Sequence, residues 1–473
     1  METIIGRQEE LLRLRKLAES KRSSFVAVYG RRRVGKTFLI RNAFPSFDFH
    51  ITGMANVNTA TQLANFHIAL KRYDAQFADR PLATSWLEAF TRLTEVLEAK
   101  KNGKKIIFLD ELPWLDTAGS GFLPALEHFW NSWASARTDI LLIVCGSAAS
   151  WIINKLLNSR GGLHNRVTDR ILLQPFTLKE CEQFFISRGA VFDRYQIVQL
   201  YMVMGGIPFY LSQIDPKLST AQNIDRLCFM QSGVLRTEFD NLYHSLFQKA
   251  ERHIQIIEAL STKTKGLSRE DLLKASKMPN GGGTTRILRE LEESHFIRKY
   301  RAFGKKDKNS IYQLTDFYSF FYLRWIRGVD TYSQHYWVSQ LDTPNQNIWA
   351  GYAFEQVCLE HINQIKRGLS IAGMKTEISS WFGKTETAGA QIDLLIDRAD
   401  RVINICEMKF SIDAIAMTKS YAEDLKKKIR VFKEVTKTRK AVHLILLTTF
   451  GIISNNYSDT LVQNELKMDA LFD

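Results

Sequence analysis

The segment at residues 30–37, GRRRVGKT, is the first in the chain whose residue types and spacing could do chemistry. It fits the pattern GxxxxGK[ST] at every defined position and follows an apolar run rich in β-formers at residues 25–29. In such a strand–loop–helix, backbone N–H groups surround nucleotide phosphates, Lys36 reaches the same phosphates, and the Thr37 hydroxyl ligates Mg²⁺. The pattern therefore predicts an ATP–Mg²⁺ site formed by Gly30, Arg31, Arg32, Arg33, Val34, Gly35, Lys36 and Thr37.

Two carboxylates, Asp110 and Glu111, end a second apolar run at residues 106–109. A strand buried on both faces excludes charge, so both side chains should lie at its carboxyl edge, where ligands bind in open α/β sheets. We expect Asp110 to hold Mg²⁺ through water and Glu111 to orient the attacking water. A third run, at residues 140–145, leads to Ser147, which could read the γ-phosphate or simply form a turn.

A second set of chemistry-bearing residues lies near the C-terminus. Residues 390–396 and 402–410 alternate as two strands joined by a turn, and the period of two puts Glu407 and Lys409 on one face. Asp393 on the adjoining strand can meet Glu407. Two carboxylates with a backbone carbonyl and waters suit an octahedral Mg²⁺, and Lys409 could orient or deprotonate a water.

Between these two sets, the pattern changes to three helices and a basic hairpin. This order is typical of a winged helix-turn-helix, whose third helix could enter a major groove and whose lysine-rich turn could hold phosphates. The same module can also serve as an intramolecular packing unit, and both interpretations stay open. The predicted helices are residues 251–262, 269–276 and 284–294, and the strands are 296–300 and 310–314.

The positive charge is concentrated. The 473 residues carry 64 Lys and Arg against 50 Asp and Glu, a formal net charge of +14. Residues 299–309 contribute four of these net charges and residues 426–440 contribute seven. An anionic partner such as nucleic acid is expected, although each run could also be a solvated face.

Composition excludes several classes of protein. A hydrophobic content of 45% with 24% charged residues excludes wholesale disorder. The longest apolar stretch, residues 140–153, is too short to span a bilayer, and the N-terminus lacks an apolar signal core. Five scattered cysteines without a CxxC pair predict free thiols in a reducing compartment. We therefore expect a cytoplasmic protein without a membrane partner.

The P-loop and its neighbouring segments resemble the prokaryotic STAND-type ATPases of the AAA+ superclass. The segments are IGR at 5–7, LDELPWL at 109–115, GSAAS at 146–150 and GGLHNR at 161–166. More narrowly, they resemble the archaeal/Bacteroidetes ATPase family, which ends in a nuclease-like domain. The resemblance implies that Gly6 and Arg7 lie against the adenine. It also implies a sensor or finger role for Arg166, otherwise a surface arginine, and closure of Pro208 over the nucleotide, although a rigid turn alone explains that proline.

The C-terminal set resembles the PD-(D/E)xK nuclease superfamily. Glu355 matches the helix glutamate, Asp393 the central aspartate, and Glu407 with Lys409 the ExK element, while Ile392 replaces the nominal proline. The basic helix that starts near residue 419 falls where that fold has a positive helix near the scissile phosphate. The alternative is a degenerate copy retained for DNA binding or docking.

Together these patterns predict a multidomain α/β protein. We expect a P-loop parallel-sheet ATPase domain (1–178), a helical lid (179–248), a winged helix-turn-helix (249–330) and an α/β restriction-endonuclease-like domain (345–473). The expected function is an ATP-hydrolysing switch coupled to a Mg²⁺-dependent DNA endonuclease. The alternative is a nucleotide-gated DNA-binding regulator with an inactive nuclease fold, and homo-oligomerisation is left open.

Overall fold

The structure is a computed structural model, and it describes residues 4–100, 103–158, 165–247, 249–304, 310–329, 335–386 and 388–473. The chain divides into two compact units, Met1–Pro175 and Phe176–Asp473. Each unit has its own sheet and its own apolar core.

The first unit is built on a parallel five-stranded sheet with the order β2-β3-β4-β1-β5. Because the strands are parallel, their carboxyl ends meet at one edge, as the sequence predicts for the two phosphate-site motifs. The strands are β1 (Ser24–Tyr29), β2 (Phe49–Thr52), β3 (Lys105–Asp110), β4 (Ile140–Gly146) and β5 (Asp169–Leu172). The helices are α1 (Gln8–Glu19), α2 (Lys36–Ala43), α3 (Thr59–Tyr73), α4 (Trp86–Glu98), α5 (Leu112–Leu115), α6 (Phe122–Phe129) and α7 (Ala149–Trp151).

Helix α4 differs from its sequence pattern at one position. Helical spacing of Leu87 with Phe90, Leu93, Val96 and Leu97 predicts that all five face the core, but Leu87 is 51% exposed. Ser85 caps the helix, and Trp86 is the residue that packs inward. Leu87 is one residue further along and therefore about 100° away around the helix.

The second unit begins with a group of helices. A tight contact closes the α9–α10 connection, because the Phe176 N–H donates to the Gly206 carbonyl oxygen at 2.6 Å. A Cβ at residue 206 would lie 1.9 Å from the Phe176 carbonyl oxygen, so only glycine fits there. The helices are α8 (Leu178–Ser187), α9 (Arg194–Met204), α10 (Pro208–Ser212), α11 (Thr220–Ile224) and α12 (Glu238–His244).

Residues 250–314, called here the 250–314 module, form three helices and a three-stranded antiparallel sheet with the order β6-β8-β7. The three predicted helices and both hairpin strands are present, and β6 is an additional strand. The lysine-rich turn at residues 305–309 lies outside the described residues. The elements are α13 (Ala250–Ser261), β6 (Leu267–Ser268), α14 (Arg269–Ser276), α15 (Gly282–Glu293), β7 (Ile297–Tyr300) and β8 (Ile311–Leu314).

The segment at residues 330–350 has a composition that predicts a linker. Its described residues, 335–350, are mostly exposed but include two buried tryptophans. Trp337 and Trp349 are 3% and 2% exposed and contact each other with ring centroids 5.4 Å apart. The sequence pattern predicts a helix that starts at Gly351. In the structure this helix, α17 (Pro344–Glu360), begins seven residues earlier, because Thr343 caps it and proline occupies a first-turn position. A short α16 (Phe317–Phe321) precedes the segment.

The C-terminal part of the second unit is a mixed five-stranded sheet with the order β15-β13-β11-β10-β9. Strands β9, β10 and β11 are antiparallel, whereas β11, β13 and β15 are parallel, and α19 makes the crossover from β11 to β13. The helices are α18 (Ile362–Gly368), α19 (Lys419–Thr436) and α20 (Asn456–Leu461). The strands are β9 (Thr376–Lys384), β10 (Gly389–Arg398), β11 (Val402–Lys409), β12 (Ile415–Ala416), β13 (Ala441–Thr448), β14 (Ile452–Ile453) and β15 (Asn464–Lys467).

Short segments of π-helix and 3₁₀-helix complete the secondary structure. Turns of π-helix extend α6, α7, α11 and α16 at Trp130–Ala134, Ile152–Leu157, Asp225–Phe229 and Tyr322–Ile326. Segments of 3₁₀-helix lie at Ala75–Phe77, Val338–Gln340 and Met468–Phe472. Within the described part of the chain, no helix combines the length and apolarity that crossing a membrane would need. All five cysteines are buried.

The contact between the buried Trp337 and Trp349 leads to the first prediction. We expect Trp349→Ala to lower the free energy of unfolding of the second unit by about 3–5 kcal/mol, because a large buried ring is replaced by a cavity. The neighbouring Ile348 is 55% exposed, so Ile348→Ala should change that free energy by less than about 0.5 kcal/mol. Urea unfolding followed by far-UV circular dichroism measures both. Equal effects of the two variants would mean that this segment is a linker after all.

Candidate active sites

The ammonium of Lys36 lies inside the loop that joins β1 to α2. It donates to the carbonyl oxygens of Gly30 and Arg31 at 3.1 and 2.9 Å, and Lys36 is only 5% exposed. Burial lowers the pKa of Lys36, while neighbouring acidic groups that include Glu111 and Asp110 act in the opposite direction. An ammonium held by two carbonyls can turn to a phosphate, which is a charged and therefore stronger acceptor.

The backbone of this loop suits an anion. Gly30 and Gly35 have positive φ angles of 145° and 92°, and a Cβ at residue 30 would lie 2.3 Å from the Leu173 carbonyl oxygen. Helix α2 starts after Gly35 without a side-chain cap, so its first N–H groups remain available to a phosphate. Of the other predicted loop residues, Arg31 and Val34 are buried, and Arg32 and Arg33 are half-buried.

Thr37 and Asp110 meet at the carboxyl edge of the sheet. The Thr37 hydroxyl donates to both Asp110 oxygens at 3.1 and 3.2 Å, and the Cys145 thiol donates to one of them at 2.9 Å. Asp110 is 4% exposed, and these donors are neutral, so they satisfy its oxygens without cancelling its charge. Thr37 and Asp110 therefore fit a Mg²⁺ ion, as the sequence predicts.

Glu111 is fixed by Ser147. The Ser147 hydroxyl donates to one Glu111 oxygen at 2.6 Å, and its backbone N–H donates to the other at 3.1 Å. Glu111 has a positive φ of 47°, and this turn directs its side chain towards the end of β4. In this structure Ser147 orients the carboxylate that we expect to polarise the attacking water.

The remaining predicted nucleotide residues belong to other segments of the chain. Gly6 and Arg7 precede α1, and the Arg7 guanidinium, 7% exposed, donates to the Gln174 carbonyl oxygen. Arg166 is exposed before β5, and residues 161–164 of its segment lie outside the described residues. Pro208 begins α10 in the second unit. Their roles towards the nucleotide stay predictions.

In the second unit, Asp393 occupies an irregular point of β10. The pairing of β10 with β9 shifts register between Ile392 and Leu395, which is the signature of a β-bulge. Bulges redirect side chains and are common beside active sites. On the other side, Leu394 pairs with Cys406 in an antiparallel ladder. The next positions along this ladder are Asp393, one before Leu394, and Glu407, one after Cys406.

Glu355 on α17 faces the same carboxylates. Burial and the charge of Asp393 raise the pKa of Glu355 to about 8, and Glu407 adds to this effect while Lys265 and Lys409 oppose it. Such mutual influence requires the charges to lie close together. Strand register and ion-pair distance bring Asp393, Glu407 and Lys409 together, and the electrostatic influence links Glu355 to them. The site that the sequence predicts from these four residues stays a prediction.

Each strand carboxylate already has an ammonium partner. The Lys265 Nζ is 3.2 Å from Asp393 Oδ2, and the Lys428 Nζ is 2.7 Å from Glu407 Oε2. Lys409 is more loosely placed, 3.6 Å from Glu407 Oε1. The Gln391 side chain donates to Asp393 Oδ1 at 3.2 Å. The cluster is therefore balanced by lysines from three different elements.

The carboxylates also fit a divalent cation. Within the described ranges, no group of three or more His, Cys, Asp or Glu side chains is arranged as a metal site. Asp393 and Glu407 nevertheless offer two carboxylates, and the raised pKa of Glu355 reflects burial and negative charge that a cation would relieve. Two carboxylates completed by waters are the coordination that Mg²⁺ favours.

Sequence reasoning missed Lys265, which lies in the loop before β6 and 128 residues before its partner Asp393. No local sequence pattern indicates that a single lysine in such a loop will pair with a carboxylate far away in the chain. Lys428 lies in the run that was expected to bind phosphates, but its ammonium points to Glu407. The signal that could have found it is helical spacing, because Leu425 and Phe432, three before and four after it, are buried on the sheet-facing side of α19.

Residues 4–214 match a family described as an ATPase domain predominantly from Archaea. The N-terminal part of the chain is a P-loop ATPase domain. An uncharacterized protein of Methanocaldococcus jannaschii is 25% identical over 396 residues, 83% of each chain. The Walker-type ATPase of Pyrococcus abyssi is 18% identical, with a TM-score of 0.49 over 68% of this chain and 96% of that one. The ORC2 protein of Aeropyrum pernix is 13% identical, with a TM-score of 0.44 over 76% and 95%.

The family match supports the predicted ATPase domain, and the predicted parallel α/β sheet is present in the structure itself. ATP binding and hydrolysis follow for this domain at the general level of the family, and nucleotide with Mg²⁺ is its ordinary cofactor. The winged-helix and nuclease interpretations of residues 249–473 stay predictions.

The P-loop geometry generates the second prediction. We expect Gly30→Ala to weaken ATP binding at least about tenfold, because the new Cβ would meet the Leu173 carbonyl at 2.3 Å and displace the loop. Gly281→Ala is the control, since nothing lies within 4 Å of a Cβ there. Titration with a fluorescent ATP analogue measures both, and unchanged affinity in Gly30→Ala would contradict the assigned loop.

The third prediction concerns pH. The Glu355 pKa is about 8 in the folded protein against an ordinary 4.5, so the folded state binds more protons between these values and loses stability as pH rises. Glu355→Gln should remove this loss and stabilise the protein by about 1–3 kcal/mol more at pH 8.5 than at pH 5.5. Urea unfolding at the two pH values, without divalent ions, checks this. The exposed Glu377→Gln is the control, and parallel pH profiles of wild type and Glu355→Gln would refute the assignment.

Proposed function

We propose that the protein is an ATP-dependent switch whose nucleotide state controls a Mg²⁺-dependent endonuclease site in the second unit, acting on DNA. The observation that carries the proposal is the adjacent placement of Asp393 and Glu407 on β10 and β11, with the Lys409 ammonium 3.6 Å from Glu407, in a chain that also has a P-loop ATPase domain. The strand, helix and bulge arrangement around them supports the resemblance to PD-(D/E)xK nucleases. The topology of the 250–314 module supports the winged-helix interpretation.

In the proposed ATPase cycle, the loop N–H groups and Lys36 bind the phosphates. Thr37 and Asp110 would hold Mg²⁺, which would supply charge neutralisation at the phosphates. Glu111, oriented by Ser147, accepts a hydrogen bond from the attacking water. Gly6, Arg7, Arg166 and Pro208 are proposed to contact the nucleotide as the family resemblance implies.

In the proposed nuclease site, Asp393 and Glu407 would hold a Mg²⁺ ion, which would supply a bound water of lowered pKa. Lys409, 3.6 Å from Glu407, would orient that water through its ammonium, or would take its proton as the neutral amine. Glu355 accepts hydrogen bonds from the water shell when it is ionised. The reaction class is hydrolysis of a phosphodiester bond.

DNA is the proposed substrate because of the charges beside this site. The outer side of α19 borders a groove of about 570 Å³ lined by Lys426, Arg430 and Lys433 together with Ile429, Glu434 and Leu461. Arg286 and Arg289 on α15 are exposed at the position of a recognition helix. Binding through such side chains should weaken steeply with salt. Buried cysteines suit the proposed cytoplasmic location.

One observation favours the alternative of a DNA-binding regulator with an inactive nuclease fold. Asp393 and Glu407 are both held by lysines, as they would be in a site that uses ion pairs for stability. Both candidates predict salt-sensitive DNA binding, but only the endonuclease predicts cleaved product.

Plasmid cleavage provides the fourth prediction. Supercoiled DNA is incubated with Mg²⁺, with and without ATP, and with wild type, Lys36→Ala and Asp393→Asn. We expect wild type to nick the plasmid in an ATP-dependent manner, Lys36→Ala to lose the response to ATP, and Asp393→Asn to lose at least about a hundredfold in rate. Cleavage by Lys36→Ala that equals wild type refutes the coupling. Cleavage that survives Asp393→Asn refutes the site, and its absence from every sample favours the regulator.

A further inference from the structure

The carboxylate cluster receives one of its ammonium groups from outside the C-terminal sheet. Lys265 belongs to the loop between α13 and β6, and its Nζ lies 3.2 Å from Asp393 Oδ2. Burial lowers the pKa of Lys265, but the charges of Asp393 and Glu355 outweigh this effect and raise it, so the amine stays protonated. Its side chain is 38% exposed and that of Asp393 is 19% exposed, so the pair is stronger than one in open solvent.

The backbone that carries Lys265 is held in place. The Tyr300 hydroxyl donates to the Lys265 carbonyl oxygen at 2.9 Å, and the Gln313 side chain donates to the Thr264 carbonyl oxygen at 2.7 Å. Tyr300 and Gln313 come from β7 and β8 of the same 250–314 module. The backbone at Lys265 is therefore fixed. Unless the whole module moves, only the aliphatic part of the lysine side chain can change its conformation.

The 250–314 module is itself docked on the C-terminal sheet. The Phe303 N–H donates to the Ser380 carbonyl oxygen of the edge strand β9 at 2.8 Å, and the Phe303 ring lies 5.4 Å from the ring of Phe432 on α19. On another side, the Arg298 guanidinium donates to the Gln356 side chain of α17. Lys265 thus reaches Asp393 only while this docking persists.

We infer that Lys265 is a built-in cation that competes with the divalent ion for Asp393, so that docking of the 250–314 module closes the site to metal. A Mg²⁺ ion binds carboxylate oxygens at about 2.1 Å, and an ammonium within hydrogen-bond distance of the same carboxylate repels it. The ion can enter when the lysine swings away or when the module withdraws. The inference rests on the proposed function, because it takes Asp393 as a metal ligand.

The test measures Mn²⁺ binding to the full-length, nucleotide-free protein by calorimetry. We expect Lys265→Met to bind Mn²⁺ about tenfold more tightly than wild type, since removal of a close like charge favours the ion by about one factor of ten. The gain should disappear in the double variant Lys265→Met/Asp393→Asn. Lys263→Met, an exposed lysine two residues away, is the matched control and should bind as wild type does. Plasmid nicking at limiting Mg²⁺ is the second readout and should rise in Lys265→Met alone.

The outcomes separate the inference from the proposed function. Equal Mn²⁺ affinity in wild type and Lys265→Met, lost on Asp393→Asn, keeps the metal site and overturns the inference. Weaker binding in Lys265→Met also overturns it, because the lysine would then assist the site. Absence of any Asp393-dependent Mn²⁺ binding overturns the metal site itself. Thermal unfolding verifies that each variant is folded, and Lys265→Gln replaces Lys265→Met if the latter is not.

Discussion

Carboxylates on the strands of packed sheets are the constraint on which both candidate sites depend. A carboxylate removed from water costs several kcal/mol unless a cation or hydrogen-bond donors compensate it. Asp110 ends β3, and Asp393 and Glu407 lie on neighbouring strands of the other sheet. Each sheet must therefore supply partners at that place. The nature of these partners decides what else can bind there.

The two units solve this problem differently. In the first unit, Asp110 accepts hydrogen bonds from the Thr37 hydroxyl and the Cys145 thiol, which leave its negative charge uncancelled and open to a metal ion. In the second unit, Asp393 and Glu407 have the ammonium groups of Lys265 and Lys428. Under the proposed function, Mg²⁺ would compete with neutral hydrogen-bond donors in the first arrangement. In the second arrangement, a metal ion would have to displace a lysine ammonium from its carboxylate.

Interactions between residues that are close in the chain were predictable from the sequence, whereas interactions between distant residues were not. The P-loop, β3 and β10–β11 were predictable because strand alternation, glycine positions and the GKT motif are local. The buried Trp337–Trp349 pair was not, because polar neighbours make its segment look like a linker. The bulge that directs Asp393 depends on pairing with β9 and has no local signal. The partner of Asp393 is 128 residues away, beyond any pattern of spacing.

The basic residues of helix α19 lie in two different environments. Lys428 faces the sheet and reaches Glu407, whereas Lys426, Arg430 and Lys433 border the outer groove. One basic run therefore serves two purposes, and its total charge alone cannot separate them. Both sets of side chains stand on one helix, so a charge bound in the outer groove and the ion pair at Glu407 would act on the same element. Under the proposed function, a polyanion in that groove would reduce the positive potential around α19, and this change would favour entry of a divalent ion at the carboxylates.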